Sequence, residues 1–597
     1  MVDPAFASSD EARWKSAAEA GLAGASFERA LVGVAPEGFA VEPLYLARHL
    51  PKIDIGVAFA ASSQPIVAQR YSVTAPARVN AEIVEDLGRG VALPWLSFEP
   101  DTNLAVKLGV TLAGVPATTP ILLDAGEAAL DLAGQARRLG FSRVSALCDP
   151  FSTALRQGGL KSSWAVGFDR AHAEAVEAGG AGVTSLAVSP AAVFDAGGDM
   201  AQAIGFALAG AAAWARAFDS RNRVDLAASS LAVIVSPGSE VFRGIALLRA
   251  LSIGFAKLWS ALGVAGPRPL FVGVGSQRAL SGLDVETNMI RATLETFSLI
   301  VGGADVVATR PFDEPSATRS ALGRRLAKNT ALVLLSETEL GKVRDPAAGS
   351  YYVESLSGSL ARAGWAELNR IETEGGLEDS LEAGLFQERV RHASAARERD
   401  IVRRKRVLVG TSEYATTASV APTRPIAEAS GLVTLVSPLR SIRDAAPFES
   451  LRASVSELSA KRGRPLSGLL IGLGPAASYR AREAFMRRLF EVAGFAVDLL
   501  PDPSAAAATE SAWLEQAISS RTPDAVVLIG SDEIYQSAAE AVVLAAKRAG
   551  SPAIVLAGKP GDLAAPLHAL GMTHSVAVGD DVVAVLSSVV ELARGAS

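Results

Sequence analysis

Between residues 66 and 405, short apolar runs alternate with longer stretches whose apolar residues recur every three to four positions. A run of about five apolar residues suits a strand buried on both faces, and the longer spacing suits an amphipathic helix. The strand candidates are "GVALPWLSFE", "PILLDA", "VSALCDP", "SLAVSP", "LAVIVSP", "PLFVGVGS", "ADVVATRPF" and "TALVLLS". "MAQAIGFALAGAAAWARAF" and "ETNMIRATLETFSLIVGG" are helices between them. About eight such units in roughly 340 residues fit a TIM (β/α)8 barrel with insertions; a doubly wound open sheet is the competing architecture.

The same alternation resumes from residue 466. "LSGLLIGLG", "FAVDLLP", "AVVLIGS", "PAIVLAG" and "HSVAVG" read as five strands separated by helices. That spacing suggests a flavodoxin-like, doubly wound parallel sheet, which takes ligands beyond the carboxyl ends of its strands. Residues 1–65 read as an arm of the kind that wraps a partner subunit, and residues 406–465 as an interdomain linker ending in a charged helix.

Composition narrows the function. With 49% hydrophobic residues in 597, two large cores can be filled. A net charge of −6 argues against nucleic acid as the main partner, and the one basic run, "RERDIVRRKR", reads as a solvated helix end. Cys148 stands alone, so no internal disulfide forms, and the five histidines lack metal-ligand spacing. The start of the chain has no secretory pattern, and no apolar stretch is long enough to span a bilayer. These features suggest the cytoplasm.

Several longer stretches carry a resemblance. "SFERALVGVAPEGFAVEPLY" (26–45), "AQRYSV" (68–73), "GSQRALSGLDVETNMIRATLETFSLIVGGADVVATRPFDEP" (275–315) and "LAKNTALVLLSETELGKVRDPAAGSYYVESL" (326–356) resemble the methylmalonyl-CoA mutase family, in order along nearly the whole chain. The resemblance implies an acyl-CoA skeleton rearrangement, (R)-methylmalonyl-CoA to succinyl-CoA, with adenosylcobalamin held between barrel and C-terminal domain. In catalytic members a D-x-H-x-x-G loop supplies the cobalt-ligating histidine, and its aspartate orients the ring.

This chain departs from that pattern at both centres. Ala477 falls where the aspartate belongs, Tyr479 where the histidine belongs and Arg482 at the last glycine. No histidine lies between 393 and 567, so no shift of register restores a ligand. In the barrel, the family's Tyr-His pair of "S-G-Y-H-M-Q-E-A-G" is matched by Ala191 and Ala192 in "SPAAVFDAGG". A methyl group cannot donate a hydrogen bond to a thioester oxygen. Arg70 and Tyr71 are candidates for a surviving substrate contact, with a structural tyrosine as the other reading. Ser531 in "GSDEIYQS" is a candidate ligand contact or a strand-end cap.

"LGPAASYRAREAFMRRLFEVAGF" and "GSDEIYQSAAEAV" are similar to the small subunit of the heterodimeric members. That resemblance implies a non-catalytic chain paired with a cobalamin-binding large (alpha) subunit, with no cofactor or metal on this chain. The family also implies a mutase-associated GTPase chaperone as a further partner. Two other readings stay open: an acyl-CoA mutase chain with its own altered cobalamin or CoA site, and a ligand-sensing regulatory subunit.

Overall fold

The computed structural model describes residues 10–51, 64–99, 103–178, 183–316, 320–415, 432–501 and 511–596. Eight strands form one parallel sheet: β1 (Ile66–Ser72), β2 (Leu93–Ser97), β3 (Ile121–Asp124), β4 (Val144–Ala146), β5 (Leu186–Val188), β6 (Leu231–Val235), β7 (Leu270–Val274) and β8 (Val306–Ala308). Their order is β4-β3-β2-β1-β8-β7-β6-β5, so β4 and β5 are the two edges. Backbone bonds from Ala146 N to Thr184 O (2.9 Å) and from Ala187 N to Cys148 O (2.8 Å) join those edges. The sheet curls into a nearly closed barrel of the TIM type, not an open doubly wound sheet.

Alternate residues of each strand point inward. Trp95, Leu122, Ala187, Ile234, Val272 and Val306 pack together along the barrel axis. The axis is therefore filled by side chains. The outward-facing residues meet the surrounding helices in a larger core. Helices α1 (Met200–Asp219) and α2 (Val241–Ala261) are buried along most of their length. A further helix, α3 (Tyr351–Thr373), packs over them as a second layer. Glycine makes the close approach possible: a Cβ on Gly364 would lie 2.3 Å from Ile204, and one on Gly205 would lie 2.6 Å from Glu367.

One expected strand is helix. "TALVLLS" lies at the end of Ala321–Ser336, and β1 is the strand that completes the eight. The buried residues Gly323, Ala327, Ala331, Leu334 and Leu335 recur at helical spacing, and the Ser320 side chain caps the start by accepting from Gly323 N. A short apolar run cannot separate the two states without its flanks.

The C-terminal sheet holds β9 (Ser467–Gly472), β10 (Ala496–Leu500), β11 (Ala525–Ile529), β12 (Ala553–Ala557) and β13 (His574–Val576). All pair in parallel, in the order β10-β9-β11-β12-β13. Between the domains run α4 (Leu385–Val402) and α5 (Ala446–Arg462), followed by α6 (Ala476–Ala493) and α7 (Asp532–Arg548) within the second domain. Helix α5, read from sequence as the end of a linker, buries Phe448, Leu451, Val455 and Leu458 in the core that also holds Leu470 of β9.

The basic run at 397–406 is not simply solvated. Arg397 pairs with Asp444, Arg404 with Glu413 and Arg406 with Glu240. The described part of the arm lies on its own barrel, with the rings of Tyr45 and Tyr352 5.0 Å apart. Among the described residues no helix is long and apolar enough to cross a membrane.

A buried ion network ties the first barrel helix, Pro76–Leu87, to Ala321–Ser336. Asp86, 1% exposed, accepts from Tyr71 Oη (2.8 Å), Arg324 Nη1 (2.5 Å) and Lys328 Nζ (2.8 Å). Removing one partner of a buried pair leaves an uncompensated charge. Asp86→Ala should cost about 3–5 kcal/mol in urea unfolding, and a loss under 1 kcal/mol would show that the network contributes little.

Candidate functional site

TIM barrels carry their chemistry at the carboxyl ends of the strands. Strand alternation sends Arg70 and Tyr71 in opposite directions. Arg70 faces the axis, 5.5 Å over the Trp95 ring, and donates to Ser97 Oγ (2.9 Å) and Asp124 Oδ2 (3.2 Å). Burial pulls its guanidinium below the usual arginine range, against the opposing pull of Asp124. Tyr71 points outward to Asp86, and burial pushes its phenol far up. The two candidates for a substrate contact are therefore not brought together.

Ala191 and Ala192 begin the short helix Pro190–Asp195 after β5. Ala191 packs into the top of the axial core. Neither offers a donor or acceptor beyond its backbone.

A polar cluster lies beside them that the sequence reading missed. Ser276 Oγ donates to Asp195 Oδ1 (2.6 Å), and Ser276 N donates to both carboxyl oxygens of Glu295 (3.1 and 3.2 Å). Arg310 donates to the Gly275 carbonyl and to Glu314 Oε1 (2.8 Å). Glu295 is fully buried, and desolvation pushes its carboxyl up to about 8. The signal was present as polar residues directly after β7 and β8, in "GSQR" and "TRPFDE".

In the second domain the chain crosses over between β9 and β11, the switch point where open parallel sheets hold ligands. The loop after β9 leads into α6. Ala477 sits exposed on the first turn of that helix. Tyr479 turns into the core instead of into the crevice. Its ring lies against the backbone of Gly472, where a Cβ would come 2.7 Å from Cζ.

Arg482, on the same helix, reaches across the strand ends. It donates to the Gly530 carbonyl and the Asp532 carboxylate, and lies 5.2 Å from the centre of the Tyr535 ring. A Cβ on Gly558, just past β12, would meet its Cζ at 3.2 Å. Tyr535 is buried. Its hydroxyl accepts from Gly530 N (3.0 Å) and lies within reach of the Ala557 and Leu528 carbonyls (2.8 and 3.1 Å), one of which takes its proton. Ser531 caps α7 by accepting from Ile534 N (3.3 Å). The crevice between β9, β11 and β12 is filled by the chain's own tyrosine and arginine. Among the described residues no group of three or more His, Cys, Asp or Glu is placed to hold a metal ion.

A family model described as methylmalonyl-CoA mutase matches residues 175–466. The methylmalonyl-CoA mutase small subunit of Streptomyces virginiae is 32% identical, over 96% of this chain and 93% of its own length. The probable small subunit of Mycobacterium tuberculosis (strain H37Rv) is 28% identical, over 89% and 88%. The methylmalonyl-CoA mutase of Escherichia coli (strain K12) is 30% identical over 38% of this chain and 33% of its own length.

Glu295 gives the barrel mouth a pH dependence. Its carboxyl titrates near 8 in the folded chain against an ordinary 4.5. Between those values the native state holds a proton that the unfolded chain lacks. Its stabilising contribution is full below about pH 4.5 and is lost as the pH rises through about 8. Glu295→Gln, which fixes a neutral side chain, should match the wild type at pH 5 and exceed it at pH 9 by about 1–3 kcal/mol in denaturant unfolding. A variant less stable at both pH values would refute the neutral carboxyl.

Proposed function

The chain belongs to the methylmalonyl-CoA mutase family, and we propose that it is the non-catalytic small subunit of a heterodimeric enzyme. A large subunit would bind adenosylcobalamin and convert (R)-methylmalonyl-CoA to succinyl-CoA. The names of the relatives, small subunits from two genera, support a large-subunit partner. We read the second domain as flavodoxin-like on its strand order.

The observation that carries this reading is the filled crevice. A base-off cobalamin needs an imidazole on the loop after β9 and room beyond β11 and β12 for its nucleotide tail. Tyr479 is turned into the core, and the room is taken by Arg482 and Tyr535. The residues present do not fit the group, and no step of the rearrangement is assigned to this chain. The axis packed with Trp95, Leu122 and Val272 supports the same reading for the acyl-CoA. The chain's contribution is an ordered scaffold for the partner, which stabilises the catalytic subunit by mass action.

Gel filtration with adenosylcobalamin, read by the visible spectrum, tests this. The lone chain should elute colourless, and the complex with its large subunit should carry one cobalamin per heterodimer. Stoichiometric cobalamin on the lone chain would overturn the reading of Ala477, Tyr479 and Arg482.

A further inference from the structure

A cleft of about 1350 Å3 lies in neither of those places. It opens on the barrel rim beside the loops after β5, β6 and β7, walled by α3, α4 and the arm. Its wall holds Arg278, which is 4% exposed. The guanidinium lies 3.5 Å from the centre of the Phe194 ring, and Nη1 donates to the Gly198 carbonyl (2.9 Å). Nε and Nη2 have no acceptor among the described residues.

The nearby carboxylates are engaged elsewhere. Asp444 is held by Arg397 (2.9 Å), Glu240 by Arg243 (3.0 Å) and Arg406 (2.8 Å), and Asp195 accepts from Ser276 Oγ (2.6 Å). Desolvation draws the Arg278 guanidinium down to about 10. A buried charge without an ion pair opposes folding. A guanidinium edge held in place matches the two oxygens of a carboxylate or phosphate.

The loop that holds Arg278 is itself fixed from the arm. The Glu37 side chain is fully buried. Its Oε1 accepts from Met200 N (3.1 Å) and Arg243 Nη2 (2.5 Å), while Oε2 is buried with no partner among the described residues. Gly198, which holds Arg278, and Met200, which holds Glu37, are two residues apart on one loop. With no exposed surface, the Glu37 carboxylate is closed to a ligand and serves to hold the loop that carries Gly198.

We propose that this cleft binds a small oxyanion metabolite, its carboxylate or phosphate on the free edge of the Arg278 guanidinium. The site lies outside the sheet crevice and the barrel axis, and it does not depend on the subunit role proposed above. The shared chemistry is an oxyanion with two oxygens to face the guanidinium fork.

Titration calorimetry of the full-length chain with inorganic phosphate, malate and succinate at low salt separates the cases. Binding of phosphate or malate with a Kd of about 1 mM or tighter is expected. Arg278→Gln should weaken it at least tenfold. The unliganded Tm of Arg278→Gln should hold or rise, because an unpaired buried charge is gone. If that variant does not fold, Arg278→Lys keeps the charge, loses the fork and should still weaken binding. No heat with any of the three anions, or equal affinity in the arginine variants, would overturn the site. A fall in Tm without anion binding would assign Arg278 to holding the Gly198 loop alone.

Discussion

Eight parallel strands leave two raw edges until something joins them. Here the join between β4 and β5 is slight, two backbone hydrogen bonds from Ala146 to Thr184 and from Ala187 to Cys148. Much follows from it. A closed ring gives every strand residue one of two destinations, and a shift of one residue would exchange them. Arg70 goes to the axis and Tyr71 to the helix layer. The inward set is mostly apolar and bulky enough to fill the ring, so the interior is a packed core with polar groups only at its mouth. The helices outside can then be covered by a second layer without disturbing the strands.

The two places where this architecture usually accepts a ligand have been treated alike. At the barrel mouth, the Ala191 methyl group extends the axial core. In the second domain, Arg482 and Tyr535 bond to the strand-end carbonyls that a ligand would otherwise meet. Hydrogen bonds from a charged donor to such groups contribute about 1.5–3 kcal/mol each. These contacts give positive stability to a surface that a binding site would leave strained or wet. The cleft beside Arg278 instead lies where the arm, α3 and α4 meet the rim, on segments added around the barrel.

Strand and helix alternation was legible because it repeats at fixed period, and twelve of the thirteen barrel and sheet strands need only their own apolar runs and flanks to be recognised. "TALVLLS" misled because its helical continuation lies upstream, at Gly323 and Ala327. The place of α5 was hidden by its charged face, since Phe448, Leu451 and Val455 show their purpose only against β9. The missing imidazole on the loop after β9 could be read directly from the letters. Where Arg482 points could not, because its partners Gly530, Asp532 and Gly558 are brought to it by the sheet order. Glu37 and Arg278 are 241 positions apart and share a loop only after folding.

The guanidinium that closes the crevice couples the residues around it. Taking Arg482 away alone strips a donor from the Gly530 carbonyl, leaves Asp532 without its counter-ion and uncovers the Tyr535 ring. Installing an imidazole at Tyr479 alone opens a void against Gly472. Each single change leaves the domain worse packed before any ligand can compensate. An open crevice therefore asks for Arg482 and Tyr479 to change together, and the arginine acts as a latch on the packing around it.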